Sequence, residues 1–196
     1  MKLVLEKFEC KHATTDVGAD SPYFVVFAGE PGTVGGTDVL PGKVDRHQLN
    51  FQFATVWKDR WDDKIESGMT RTPNLVVKSH GTGKALSIGQ NSAVLIAMCE
   101  QDEHVDITRE ERGDIAEQMC LPWLSNGGGV VLSSGVGLAH KLKQTFREIV
   151  NDAQDDDETL GVIVLDPTSG PHTHTFQFTD KKDTGGRYDV TFALRD

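Results

Sequence analysis

An antiparallel β-sandwich interrupted by a helical hairpin is the fold class this sequence predicts, and three observations predict it. Short runs rich in Val, Ile, Phe, Tyr and Thr recur along the chain with turn residues between them. One stretch, Ile107 to Ala153, changes from a period of two to a helical period. Glycine is frequent, at 20 of 196 residues, as a fold with many tight connections requires. The length suits one domain over residues 1–196, with the hairpin at 105–153 inserted within it.

Each element has its own signal. "KLVLEKFEC" at the start alternates Leu3 and Leu5 with Val4 and Glu6. "YFVVFAG" (Tyr23 to Gly29) is a short apolar run closed by glycine. "LNFQFATVW" places Leu49, Phe51, Phe53 and Thr55 on one strand face. "NLVVKS" and "KALSIG" predict two short strands about a His80-Gly81-Thr82-Gly83 turn. "AVLIAMCEQD" reads as a central strand, and "LGVIVLD", "THTFQFTD" and "GRYDVTFAL" complete the sandwich. Within the hairpin, Thr108 and Glu111 have capping-box spacing ahead of "REERGDIAEQMCLPWL". Leu138, Leu142, Phe146, Ile149 and Val150 form one stripe of a second helix, and "SNGGGVVLSSGVG" links the two.

Charge narrows the function. Thirty acids against 20 bases give a formal charge of −10, which disfavours nucleic acid as a partner. It also disfavours anionic lipid, unless a bound cation reverses the local sign. Cys10, Cys99 and Cys120 have neither disulfide-framework nor zinc spacing, so buried thiols are expected. "MKLVLEKFEC" lacks the apolar block of a signal peptide, and no stretch approaches the roughly 20 apolar residues of a transmembrane helix. A soluble cytoplasmic protein is the expectation.

The carboxylates suggest a meeting point. Glu100 and Asp102 lie two apart at the end of one strand and so leave it on the same side. "DDDE", Asp155 to Glu158, immediately precedes the next strand, so an antiparallel pairing sets these groups beside each other, with the hairpin bulging from the connection. Asp16 and Asp20 flank Gly18 in another strand-to-strand connection. Should the two connections share one end of the sandwich, their acids repel strongly without a cation. Calcium, which takes six to eight oxygens in irregular geometry, suits such a set better than magnesium does.

"DVGADSPYFVVF", "CEQD" and "DDETLGVIVL" together resemble C2 domains, calcium-binding β-sandwiches. The first resembles their first calcium loop leading into a strand. The second stands where they carry Asp-x-Asp at the end of the sixth strand, and the third resembles their lead-in to the seventh. "HTFQFTD…GGRYDVTFAL" is similar to their final strand region. The likeness spans roughly residues 1–102 and 157–196, leaving the hairpin outside. It implies Asp16, Asp20, Glu100, Asp102 and Glu158 as calcium ligands with Asp157 a neighbour or substitute. It further implies a non-enzymatic module that binds a phospholipid or protein partner when calcium is present. Ser21 stands where the family carries its second Asp, and Glu replaces Asp at 100 and 158. A weak site, on the order of 10⁻⁴ to 10⁻³ M, follows from those departures.

Two other functions compete. An interaction sandwich would use its hairpin as the contact surface and leave its acids solvated. A metal-dependent hydrolase would use His12 or His104 beside the acidic cluster. Lesser signals carry less. "SHGTGKALS" fails as a phosphate loop, because Lys78 holds the first Gly position and Ala85 the hydroxyl position. The serines of "GGGVVLSSGVG" lack the Gly-x-Ser-x-Gly spacing. His172 and His174 share a strand face but have no third zinc ligand. Trp57 with Trp61, and Trp123 with Leu124 and Val130 to Leu132, are expected to pack rather than to present a sugar platform or an apolar tip.

Overall fold

The computed structural model describes residues 1–13, 22–32, 51–56, 65–80, 82–100, 109–127, 134–153, 158–179 and 185–196. In order these form β1 (Lys2–His12), β2 (Pro22–Gly29), β3 (Phe51–Val56), β4 (Thr70–Arg71), β5 (Leu75–Val76), β6 (Ala93–Glu100), α1 (Arg109–Ser125), α2 (Gly135–Asp152), β7 (Glu158–Leu165), β8 (His172–Thr179) and β9 (Arg187–Arg195). One sheet has the order β4-β1-β9-β8, with β5 also on β1, and the other the order β3-β2-β6-β7. Every strand pairing is antiparallel. The chain is therefore mainly β, two facing antiparallel sheets with two helices in the β6–β7 connection.

Side-chain parity builds three layers from these elements. In β2, Phe24, Val26 and Ala28 point between the sheets, where they meet Val94, Ile96 and Met98 of β6 and Tyr188, Val190, Phe192 and Leu194 of β9. The opposite parity, Tyr23, Val25 and Phe27 with Leu95, Ala97 and Cys99, faces α1 and α2. Both strands are thus buried on both faces, which is why they read as unbroken apolar runs. The helices lie across the sheet instead of bulging from its end. Ile115, Met119, Cys120 and Trp123 of α1 and the expected α2 stripe of Leu138, Leu142, Phe146, Ile149 and Val150 supply the covering surface. Each large side chain so buried contributes about 1.5–3 kcal/mol.

Tight contacts fix the helices in place. The Ser134 Oγ accepts from the Gly137 N–H at 3.1 Å and caps α2. The Gly135 N–H donates to Asn91 Oδ1 at 3.0 Å, and a Cβ at 135 would stand 2.0 Å from the Asn91 carbonyl oxygen. The glycine-rich link therefore ends inside the first turn of α2. On the other helix, the Trp123 ring lies 2.7 Å from where a Cβ at Gly29 would be. Trp123 is buried as expected, and residues 130–132 lie outside the described residues. No helix among the described residues is long and apolar enough to cross a membrane.

Several expectations change in detail. In β1 the inward residues are Leu3 and Leu5, then Phe8 and Cys10, because a bulge between Leu5 and Lys7 inserts one residue and flips the parity. In β3, Phe53 packs towards the helices while Ala54 and Val56 face the other sheet, so both faces are used. The two strands expected in "NLVVKS" and "KALSIG" shrink to β5 and a single Lys78–Ala85 bridge. Their backbone donors serve scattered bonds instead of a ladder: Val77 to the Leu3 carbonyl, Leu86 to Val77, Ile88 to Met1. None of the three cysteines forms a disulfide, and all are buried.

Candidate functional site

The end of the four-stranded sheet collects the attachment points of the acidic segments. Pro22, the first residue of β2, is opposite Glu100, the last residue of β6. Glu100 is in turn opposite Glu158, the first residue of β7. The segment bearing Asp16 and Asp20 runs into Pro22, the one bearing Asp102 runs out of Glu100, and Asp157 directly precedes Glu158. The register thus joins all three acid-bearing segments to one end of one sheet. Asp16, Asp20, Asp102 and Asp157 themselves lie outside the described residues, as does His104.

Sequence alone does not show what sets this register. Met98 pairs with Gly161 and Cys99 with Thr159, so Leu160 is an extra residue on β7. This bulge moves the start of β7 by one position and aligns Glu158 with Glu100. Positions directly opposite in an antiparallel pair share a face with Cβ atoms about 4.5–5.5 Å apart, where like charges destabilise the pair. Glu100 keeps the parity of Val94, Ile96 and Met98 and is 9% exposed. A carboxylate so nearly withdrawn from water is costly unless charge or hydrogen bonds compensate it. Nearby, the Arg147 Nη2 donates to the Thr159 carbonyl at 3.4 Å and anchors α2 to the start of β7.

Carboxylate oxygens are the ligand type that hard cations select. Among the described residues no three His, Cys, Asp or Glu side chains gather into a metal-holding group.

The other candidates are placed as follows. His12 ends β1 opposite Arg187, on the strand that runs into the Asp16 segment. The His172 Nδ1 is 2.7 Å from the Gly170 carbonyl oxygen, and the exposed His174 ring lies 4.4 Å from that of Phe176. Both interactions are local, with no third ligand among the described residues. Trp57 and Trp61 lie outside the described residues.

No family model, curated protein or solved structure matches this chain.

Proposed function

We propose that this chain is a non-enzymatic, calcium-linked binding module of C2-like type, its helical pair an insertion in one calcium loop. The observation that carries the proposal is the alignment of Pro22, Glu100 and Glu158 across three neighbouring strands. The resemblance assigns "CEQD" to the end of a sixth strand and "DDETLGVIVL" to the lead-in of a seventh, and Glu100 ends β6 while Glu158 begins β7. Asp16, Asp20, Glu100, Asp102 and Glu158 would hold the ion, with Asp157 beside them. Bound calcium would offset the negative rim and attract a phosphate or carboxylate group. The partner we propose is accordingly a phospholipid headgroup or a protein bearing such a group.

Calcium binding to the folded state alone raises stability by mass action. For a site of 10⁻⁴ to 10⁻³ M, about 10 mM calcium is expected to raise Tm by roughly 3–10 °C by scanning calorimetry. Magnesium at the same concentration is expected to do less. Glu100→Gln is expected to shrink the calcium-induced rise. Identical melting in calcium and in EDTA, with no heat on titration, would dispose of the site. Liposome sedimentation with and without EDTA then distinguishes a lipid partner from a protein one.

A further inference from the structure

A second feature of the fold has the form of a peptide-binding groove. Among the described residues strand β7 ends its sheet, bonded to β6 on one side only, and β8, across from it, is bonded only to β9. Along this open edge runs a groove of about 430 Å³, floored by the β7 backbone from Leu160 to Ile163, with α2 as one wall and Phe178 and its neighbours in β8 as the other. At Gly161 the floor is bare backbone, and a Cβ there would approach the Phe178 ring to 3.2 Å.

Two properties of this groove specify an occupant. "TLGVIVL" carries no charge and no proline, two of the devices that discourage strand addition, and past the Leu160 bulge its edge is regular. The charges come from α2 instead: among the described residues His140, Lys143 and Arg147 line the groove and no carboxylate does, in a chain with ten surplus acids. Among the described residues Lys143 and Arg147 form no ion pair. Asp166, just past β7, feels His140 and His172, and its carboxyl is held below the ordinary range chiefly by the Thr168 hydroxyl and N–H. The charge complementarity therefore rests on Lys143 and Arg147. A second copy would bring the same cations to the seam and be repelled.

The geometry points to an extended acidic peptide, one with Asp or Glu at alternate positions, as the occupant. It adds to the edge of β7 between α2 and β8, with carboxylates on Lys143 and Arg147. Backbone pairing supplies affinity and the cations select the sequence. The regular ladder runs over Gly161 to Leu165, since the bulge at Leu160 interrupts the edge beyond. This does not rest on the proposed cation site, and the test is run in EDTA so that the two fail separately.

The probe is a fluorescein-labelled (Glu-Val)4 peptide, followed by anisotropy with the full chain. Saturable binding is expected, weakened by added salt and reduced about tenfold or more by Lys143→Glu and by Arg147→Glu. Lys143 is exposed, so its variant should fold normally, as an unchanged Tm would show. A (Lys-Val)4 peptide is expected not to bind. The same Glu-Val peptide N-methylated at every residue is also expected not to bind, because it keeps the charge and loses the ladder donors. Equal affinity for the N-methylated peptide would reduce the groove to a patch of positive charge and overturn strand addition. Absence of saturable binding at millimolar peptide, or a dimer by sedimentation that Gly161→Pro dissociates, would overturn the proposal as well.

Discussion

The two sheets of this protein solve the same problem in different ways. The β3-β2-β6-β7 sheet is apolar on both faces because the second sheet covers one and the helices cover the other. The β4-β1-β9-β8 sheet has one wet face, and polar pairs organise it. Thr175 and Thr191 hydroxyls lie 2.8 Å apart, Gln177 Nε2 donates to Asp189 Oδ1 at 3.1 Å, and Arg195 pairs with Glu6. Glu9 stands opposite Asp189, and lysines balance this like-charged pair. Lys7 Nζ is 2.9 Å from Glu9, Lys11 bonds the same carboxylate, and Lys11 is 3.7 Å from Asp189. The contrast is instructive: the wet face sets its acids among lysines, whereas the end of the other sheet is where three acid-bearing segments attach.

Breaking the covered face should cost most. Trp123→Ala removes a ring that contacts Phe27 at 5.3 Å centroid separation, with an expected loss of about 3–5 kcal/mol in urea unfolding. Thr175→Ala on the wet face is expected to change stability by less than about 0.5 kcal/mol. Equal costs at the two sites would mean that the helices are not a structural layer.

A smaller effect tests the fit of that layer. Gly29→Ala forces a methyl against the Trp123 ring, with an expected cost of about 1–3 kcal/mol. In the Trp123→Phe background the cost should fall, because the two positions share one contact. Strict additivity in the double-mutant cycle would refute the contact.

The smallest effect belongs to the wet face and fades in acid. Hydrogen bonds from Lys11 and then Lys7 hold Glu9 down to about 2, from an ordinary value of 4.5. A depressed carboxylate stabilises the fold above its unfolded pKa, and that contribution fades as pH falls from about 4.5 towards 2. Glu9→Gln should therefore flatten the Tm-against-pH curve within this window, lowering Tm slightly at neutral pH and converging with the parent protein towards pH 2. An identical acid limb in both proteins would remove Glu9 from the account.

Much of the fold was legible from composition and period. The α2 stripe from Leu138 to Val150 is visible as helical spacing, and every residue in it is buried. The β1 bulge also leaves a trace, since Leu3, Leu5, Phe8 and Cys10 break the period of two by one step. The continuous apolar runs of β2 and β6 announce burial on both faces. They do not say what covers the second face, because a helix and a sheet offer the same apolar surface to a strand. The basic residues lining the groove went unread for a related reason: Lys143 and Arg147 look like solvated positions until α2 is laid beside an open strand edge.

The sequence by itself determined the longer strands and both helices, since period and side-chain shape act locally on the backbone. It also determined that the acids cluster at strand ends. Only the tertiary structure decided that the helices form a third layer, that Leu160 bulges to set Glu158 against Glu100, and that β7 ends its sheet among the described residues. Those outcomes depend on register and layer order, which are settled by packing between residues far apart in the chain.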